Sequence, residues 1–367
     1  MLKIRTKRDT LLKPLQCVTG IVERRHTLPI LSNVLIEASN AGLTFLATDL
    51  EVQIRATVPV DGLGSGAATL SARKLQDILR ALPEEADITL EEKETRLQLN
   101  AGKSRFNLQT LPAADFPRIA VGTEPVTSFE LPQKALHKLL SRVQFAMAVQ
   151  DIRYYLNGML LSVDGTTLRA VATDGHRLSY ASYTIDTSFP KLEVILPRKT
   201  VSELSRLLTD SDAMVRIEAW PNQVQFAFDT IELVSKVVDG KFPDYVKVIP
   251  ADHPKKVTLN RVLLLQALQR AAILSNEKIR GVRLVLTADA LSILCSNNEQ
   301  EEAEEELAID YRGEALDIGF NISYLLDVFN FLSNESVQIE FGDANSSALV
   351  SLPGDDSFKY VVMPMRI

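Results

Sequence analysis

The stretch Ala172-Thr-Asp-Gly-His-Arg-Leu-Ser-Tyr180 shows how the chain is divided, because part of it recurs upstream. At the earlier position the chain reads Leu46-Ala-Thr-Asp-Leu-Glu51, and Thr48 lies 125 residues before Thr173. Apolar segments typical of β-strands precede both copies. A further step of 124 residues from Thr173 reaches Asn297, again after two apolar segments. The spacing predicts that one structural unit occurs three times along the chain.

Two helical patterns keep the same period. Helices are predicted wherever apolar residues recur at helical spacing, over 10–22, 132–145 and 260–274 and then over 71–82, 197–208 and 321–332. Pro14 is expected in the first turn of its helix, where a missing N–H costs little. Alternating apolar residues between and after the helices predict antiparallel strands. Each unit should therefore hold two helices and several strands.

Length and composition narrow the class of protein. At 367 residues the chain exceeds what one hydrophobic core usually serves, and no apolar run approaches the ~20 residues of a membrane helix. The first residues lack the apolar segment of a secretory signal, so we expect a cytoplasmic protein without membrane contact. Cys17 and Cys295 are too few for a disulfide framework or a zinc site, so we expect packed thiols, no metal and no cofactor.

Several motifs suggest catalysis and are better explained otherwise. Gly62, Gly64 and Gly66 lack the spacing of a nucleotide-binding loop and predict a hairpin loop. Gly102-Lys-Ser104 lies between strand patterns, so we reject a phosphate loop there. The repeated Asp49 and Asp174 are expected to accept hydrogen bonds in hairpin turns rather than to bind a shared metal. His176 has no adjacent nucleophile pattern.

The charged residues are unevenly distributed, although the net charge of -7 argues against a protein that coats nucleic acid with its whole surface. Basic residues gather on the predicted helices and their flanks, which fits either a solvated face or a surface that contacts phosphates. These residues are Lys13, Arg24, Arg25, Arg73, Lys74, Lys134, Lys138, Arg142, Arg153, Arg198 and Lys199. The run Glu299–Glu306 carries six carboxylates and is either a solvated edge or a docking surface for a basic partner.

Six segments together resemble the bacterial DNA polymerase III beta subunit family of sliding clamps, and the resemblance covers essentially the whole chain. They are Thr27–Leu31, Gln150–Leu160, Val171–Leu178, Asp239–Tyr245, Ala272–Lys278 and Tyr360–Arg366. The resemblance implies an α+β fold of three tandem similar domains, at 1–123, 124–251 and 252–367, each with two helices packed on antiparallel sheets. It also implies a head-to-tail homodimer that forms a six-domain ring.

The function implied by the resemblance is that of a DNA replication processivity factor. The ring would encircle duplex DNA without reading sequence and would tether DNA polymerases and clamp-loader subunits through a short apolar peptide motif. The chain would be a non-catalytic subunit, with polymerase activity in its partners. A tandem-domain, metal-dependent nucleic-acid enzyme is the alternative from another class.

Residue roles are carried over from the family position by position. The DNA-facing positions are Arg24, Arg25, Arg73, Gln150, Tyr154, Tyr155 and Lys199. The peptide-binding positions are Leu156, Thr173, Gly175, His176, Arg177, Leu178, Pro243, Val248, Ser347, Val361, Val362, Met363, Pro364, Met365 and Arg366. The dimer contact would join Lys74, Lys103, Arg105, Phe106 and Leu108 to Ile273, Leu274, Glu299, Glu301, Glu302, Glu304 and Glu305.

Two positions depart from the family pattern in the implied peptide pocket. Lys247 stands where an arginine is usual, and Asn345 stands where an apolar residue is usual. Because an ammonium group lacks the planar fork of a guanidinium, the preference for partner peptides should differ at the pocket edge.

Overall fold

The computed structural model describes residues 2–23, 28–60 and 65–367. Contacts group the chain into two compact units: unit 1 comprises Met1–Leu136 with Ser202–Val237, and unit 2 comprises His137–Val201 with Val238–Ile367. The segment 124–251, predicted as a central domain, is thus divided between the units. The predicted loop glycines Gly62 and Gly64 lie outside the described residues, whereas Gly66 begins a strand.

Six helices are present in the described ranges, at the positions that periodicity predicts. They are α1 (Arg8–Val18), α2 (Ala72–Ala81), α3 (Gln133–Ser141), α4 (Arg198–Leu207), α5 (Arg261–Ala271) and α6 (Ile322–Phe331). Asn260 and Asn321 cap α5 and α6, because their side-chain oxygens accept from backbone N–H groups of the first turn. Within these ranges, no helix is long and apolar enough to cross a membrane.

The prediction for Pro14 is wrong. The helix begins at Arg8, earlier than expected, so Pro14 lies inside it as a buried residue rather than in its first turn. The early start has a tertiary cause: the Arg8 backbone N–H donates to Ala86 O at 2.9 Å, and its Nε donates to Leu79 O at 2.7 Å. The hydrogen-bonding groups of Arg8 are thus satisfied by carbonyl oxygens that lie far away in the sequence.

The strands, numbered along the chain, account for most of the remaining residues. They are β1 (Lys3–Lys7), β2 (Asn33–Ser39), β3 (Gly42–Thr48), β4 (Val52–Val58), β5 (Gly66–Ser71), β6 (Asp87–Lys93), β7 (Arg96–Ala101), β8 (Ser104–Leu111), β9 (Thr127–Pro132), β10 (Gly158–Thr173), β11 (Arg177–Pro197), β12 (Met214–Trp220), β13 (Gln223–Phe228), β14 (Ile231–Lys236), β15 (Lys255–Asn260), β16 (Gly281–Thr287), β17 (Ala290–Ser296), β18 (Glu302–Ala308), β19 (Leu316–Asn321), β20 (Ser336–Phe341), β21 (Ala348–Leu352) and β22 (Asp355–Val362).

Unit 1 is built on one twelve-stranded sheet, in the order β1-β6-β7-β8-β5-β2-β3-β4-β14-β13-β12-β9. The pairing of β4 with β14, in which Ala56 faces Ile231, joins strands far apart in sequence. Helix α1 packs on β3 and β4 and against α2. Leu11, Leu15 and Leu75 are fully buried at these contacts, so the apolar helix faces and the sheet form the core of this unit.

Unit 2 contains a six-stranded sheet, β10-β11-β22-β21-β20-β15, and a four-stranded sheet, β18-β17-β16-β19. Helix α5 packs against α6, β17 and β18. One core cluster of this unit includes Leu268, Phe320, Phe329 and Tyr360. On β22, Tyr360 and Val362 join this cluster, whereas Val361 joins a second, smaller cluster. The strand therefore has two apolar faces, and the smaller cluster defines the site described next.

Candidate functional site

The turn from Thr173 to Arg177 connects β10 to β11 and begins the candidate site. Thr173 Oγ1 donates to Arg177 O at 2.6 Å and accepts from Gly175 N at 3.1 Å. Asp174 Oδ1 accepts from the backbone N–H groups of His176 at 2.9 Å and Arg177 at 3.0 Å. Gly175 has φ +91°, a left-handed conformation that suits glycine. The turn is thus fixed by its own side chains.

The same turn recurs in unit 1. Thr48 Oγ1 donates to Val52 O at 2.9 Å, and Asp49 Oδ1 accepts from Glu51 N at 3.0 Å and Val52 N at 2.7 Å. Leu50 occupies the position of the glycine, with φ +77°. The predicted role of Asp49 and of its counterpart in unit 2 as turn acceptors is confirmed. Each carboxylate accepts two backbone hydrogen bonds within its own turn.

Arg177 anchors the turn to the interior of unit 2. Its guanidinium donates to Asp174 at 3.1 Å, to Asp327 at 2.6 Å and to Phe145 O at 2.7 Å. The group also lies over the ring of Tyr324, 4.4 Å from its centroid. Burial opposes the charge, but the surrounding acidic groups and hydrogen bonds raise the pKa of Arg177 above its ordinary value. This side chain therefore supports the site from beneath.

An apolar floor adjoins the turn. In β11 and β22, Leu178 pairs with Val361, and the backbone N–H of Met363 donates to His176 O at 2.9 Å. The floor is the smaller core cluster, which consists of Leu160, Val171, Leu178, Ile195, Phe242, Leu349 and Val361. Val248 and Met363 stand at the rim and are half exposed. We call the floor and its rim the groove.

The predicted peptide-binding residues take different places in unit 2. Leu178 and Val361 lie in the floor, whereas Val362 packs into the larger core on the opposite face of β22. Leu156 is buried. His176, Gly175, Pro243 and Arg366 are exposed, and Pro364, Met365 and Ser347 are partly exposed. Met365 N donates to Gly319 O at 2.8 Å, which fixes the chain beyond β22.

Sequence reasoning missed part of the floor. Ile195 and Leu349 are absent from the predicted site, and Leu160, Val171 and Phe242 enter the sequence analysis only as members of the segments that resemble the family. A detectable signal is present in β10, because Leu160 and Val171 each lie within a short continuous apolar run typical of a buried strand. The convergence of these strands on one cluster depends on sheet pairing, which the local pattern does not show.

Lys247 and Asn345, the two departures from the family pattern, both lie on the surface of unit 2. Lys247 pairs with Asp244 at 2.8 Å across one turn of chain. The backbone N–H of Asn345 donates to Asp343 Oδ1 at 2.9 Å in an exposed turn. A local acidic partner therefore holds the ammonium group of Lys247.

The predicted DNA-facing residues lie in both units. In unit 2, Gln150 and Tyr154 are exposed and Tyr155 packs against the groove floor. In unit 1, Arg73 is exposed, and its Nη2 donates to Val22 O at 3.0 Å. Lys199, at the start of α4, is partly exposed. Arg24 and Arg25 lie outside the described residues.

Two other predicted basic positions have structural roles. Arg142 is buried, donates to Ser357 at 3.0 Å and lies over the Phe358 ring, so it does not belong to a phosphate-facing surface. Burial lowers the pKa of its guanidinium. Arg198 donates to Met147 O at 3.0 Å, repeating at a distance of 125 residues the bond from Arg73 to Val22. The recurrence of an arginine at the start of α2 and of α4 is thus explained by the hydrogen bond that each arginine donates to a backbone carbonyl.

Each unit also presents a strand edge with predicted dimer residues. In unit 1, β8 pairs with β7 over Ser104–Gln109 but with β5 only at Thr110 and Leu111, so most of its other edge has no strand partner among the described residues. Arg105 on β8 and Lys103 in the turn before it are exposed, as is Lys74 on α2, and Phe106 and Leu108 of β8 are partly exposed. Gly102, with φ +57°, forms the β7–β8 turn, which agrees with the rejection of a phosphate loop.

In unit 2, the acidic residues occupy the edge strand β18, which pairs only with β17 within the described chain. Glu302 and Glu304 are exposed, whereas Glu305 pairs with Arg270 at 2.5 Å. Glu299 and Glu301 are exposed in the preceding turn. Ile273 is 78% exposed beside the partly exposed Leu274, although apolar side chains of this size are usually buried.

Comparison with known proteins matches the whole chain. The family models for the N-terminal, central and C-terminal domains of the DNA polymerase III beta subunit match residues 2–120, 130–244 and 246–366 in turn. The chain belongs to the DNA polymerase III beta subunit family. The family match confirms the three tandem domains and the clamp fold that the repeat and the resemblance predicted.

Individual relatives of this beta subunit family extend over the full length. The beta sliding clamp of Pseudomonas putida is 49% identical over 98% of this chain and 99% of its own, and that of Escherichia coli K12 is 46% identical over all of both chains. The crystal structure of the Pseudomonas aeruginosa sliding clamp bound to griselimycin is 48% identical, covers both chains fully and has a TM-score of 0.95. The Caulobacter crescentus clamp, with PEG bound to a putative beta-motif tethering region, is 40% identical with a TM-score of 0.93, over 100% of this chain and 99% of its own.

Proposed function

We propose that the chain is a DNA replication processivity factor, a sliding clamp that encircles duplex DNA and tethers DNA polymerase III and other partners through the groove. The observation that carries this function is the apolar floor of unit 2 between the Thr173–Arg177 turn and β22. A buried floor with half-exposed apolar residues at its rim suits a short apolar peptide segment. The chain supplies attachment and not catalysis, so polymerase activity resides in its partners. We place the protein in the cytoplasm.

Two copies would close head to tail. The edge of β8 carries Lys103 and Arg105, and the edge of β18 carries Glu302 and Glu304, so the edges are complementary in charge and in unpaired backbone groups. Phe106 and Leu108 would meet Ile273 and Leu274 of the second copy. Such a contact between unlike surfaces closes when two copies complete the circle.

The size of the domains supports a ring of six. A third of this chain has a radius of gyration of roughly 14 Å and a diameter of about 35 Å. Six such domains leave a hole about 35 Å across, whereas three leave only a few Å, which is too narrow for duplex DNA with its ~12 Å major groove. A dimer can therefore encircle DNA, and a single chain cannot.

The inner surface would contact phosphates without reading bases. The residues proposed for it are Arg24, Arg25, Arg73, Gln150, Tyr154, Tyr155 and Lys199. Since a closed ring cannot dissociate sideways from DNA, weak phosphate contacts suffice, and weak contacts allow sliding.

A peptide-binding assay tests the groove. A labelled apolar peptide from a DNA polymerase subunit, followed by fluorescence anisotropy, should bind the wild-type chain and bind Met363→Asp at least about tenfold more weakly, because the new charge would lie at an apolar contact. Met214→Asp is the matched control, since Met214 is 47% exposed in unit 1 and Met363 is 49% exposed at the groove rim. Equal affinities for Met363→Asp and Met214→Asp would overturn the assignment.

A further inference from the structure

A second cavity, of about 520 Å³, lies in unit 2 and adjoins the groove. Leu160 and Phe242 line this cavity and also belong to the groove floor. The next residue, Pro243, also lines it and is one of the proposed peptide-binding positions. The two spaces therefore share a wall. In contrast to the apolar floor, half of the residues that line the cavity are charged, so it suits a different part of a ligand.

The acidic residues of the cavity wall are mostly paired. Glu193 is held by Lys191 at 3.0 Å, and Asp244 is held by Lys247 at 2.8 Å. Asp164 is the remaining carboxylate of the wall, and it acts electrostatically on Lys191. The negative charges of the wall are thus largely balanced by neighbouring ammonium groups.

Two basic residues of the wall are not balanced in this way. Within the described residues, Arg169 and Lys241 have neither a hydrogen bond nor an ion pair from their side chains. Arg169 is partly buried, and a guanidinium with reduced access to water gains most from an added carboxylate partner. Lys241 is exposed at the same wall. The unpaired donors of the cavity wall are therefore the two positive groups of Arg169 and Lys241, and its one unpaired carboxylate among the described residues is Asp164.

Tyr245 connects the cavity to the groove. Its ring lies 6.0 Å from that of Tyr180, and both rings pack against the groove floor. Tyr245 also lines the cavity, where burial raises the pKa of its hydroxyl and the nearby Arg169 opposes that rise. A ligand that crosses Tyr245 from the floor would thus reach Arg169 directly.

We propose that this cavity is a subsite for a carboxylate side chain next to the apolar segment of a partner peptide, and that Arg169 and Lys241 bind that carboxylate. The inference rests on the proposed peptide-binding function of the groove. It predicts that partners are selected by an acidic residue adjacent to their apolar motif, in addition to the motif itself.

Paired peptides test the subsite on the full-length protein. Each pair carries the same apolar segment and differs by Glu or Gln at one position, placed one to three residues from either end. At one position at least, the Glu peptide should bind about fivefold more tightly, or ~1 kcal/mol, and higher salt should remove the difference. Arg169→Gln and Lys241→Gln should each reduce the preference for Glu and leave the affinity for the Gln peptide unchanged. Arg312→Gln, an exposed arginine of unit 2 outside this cavity, is the matched control.

The possible outcomes distinguish a failure of the proposed subsite from a failure of the proposed peptide-binding function of the groove. If neither peptide of any pair binds, the proposed function of the groove fails. If both peptides bind equally at every position, the groove stands and the subsite is refuted. A preference for Glu that persists in Arg169→Gln and Lys241→Gln also refutes it, as does a loss of duplex DNA binding in these variants without any change in the preference for Glu.

Discussion

Arg177 and Asp327 form a 2.6 Å ion pair that ties the Thr173–Arg177 turn to helix α6 within unit 2. The arginine side chain is 9% exposed and the aspartate 42%, so the contact spans the boundary between interior and solvent. Together with Asp174, Asp327 neutralises a guanidinium that lies over the rings of Phe145 and Tyr324. The position of the groove therefore depends on a residue that need not touch the ligand.

Asp327→Asn should loosen the turn. The variant leaves a buried guanidinium short of one charge partner, so we expect the free energy of unfolding to fall by about 1–2 kcal/mol and the apolar peptide to bind several-fold more weakly. Urea denaturation and anisotropy measure the two effects. Asp317→Asn, which breaks the half-exposed Arg283–Asp317 pair, should change stability by less than ~0.5 kcal/mol. Equal effects of the two substitutions would contradict the role of Asp327.

Gly20 in unit 1 should not tolerate a side chain. A Cβ there would lie 2.2 Å from Glu203 Oε2, a carboxylate fixed by Arg206, which also donates to Cys17 O at 2.7 Å. Gly20→Ala should lower the free energy of unfolding by about 1–3 kcal/mol. The same change in a Glu203→Ala background should cost much less, since the clashing carboxylate is absent. Additive effects in this double-mutant cycle would refute the steric explanation.

Charge reversal tests the head-to-tail contact. Arg105→Glu or Glu304→Lys alone should weaken the dimer by about tenfold, because each creates like charges across the contact, and the double variant should recover much of the loss. Dilution followed by light scattering measures the dissociation. Glu335→Lys, an exposed position in unit 2 away from β18, serves as control. A double variant as weak as the sum of the single variants would argue against this pairing.

Cys295 should react slowly with alkylating reagents. Burial raises the pKa of its thiol to about 11, so at pH 8.5 modification should be on the order of 100-fold slower than in urea. Since the pKa in the folded state exceeds that in the unfolded state, the free energy of unfolding should decline as pH rises from ~8.5 towards 11. Cys295→Ala should remove this part of the decline. Mass spectrometry of the modified peptides would expose a rapid reaction in the folded state, which would contradict the prediction.

Local features were predictable from sequence, and long-range ones were not. Thr48-Asp49 and Thr173-Asp174 form the predicted turns because their bonds reach only two to four residues along the chain. Arg142 was placed on a basic helix face, but its partner Ser357 lies 215 residues away. The start of α1 likewise depends on Ala86, which displaced Pro14 from the expected first turn.

The residues of the groove likewise fall into those that could be predicted from sequence and those that depend on long-range contacts. Leu178 and Val361 follow from the family resemblance, whereas Leu160 and Ile195 reach the floor through strand pairing within unit 2. Arg177 is a predicted peptide-binding position, and its bonds to Phe145 and Asp327 also anchor the turn from beneath. Such support from below has no signature in the local sequence, because it depends on elements that meet only after folding.

Retention on circular DNA distinguishes a ring that encloses the duplex from a protein that binds only to the surface of the duplex. The protein is loaded by its clamp loader onto a nicked circular plasmid and separated from free protein by gel filtration, with and without subsequent cleavage of the plasmid. A sliding clamp should elute with the circular plasmid and should be released once the DNA is linear. Equal retention on circular and linear DNA would contradict topological trapping and the function proposed for this chain.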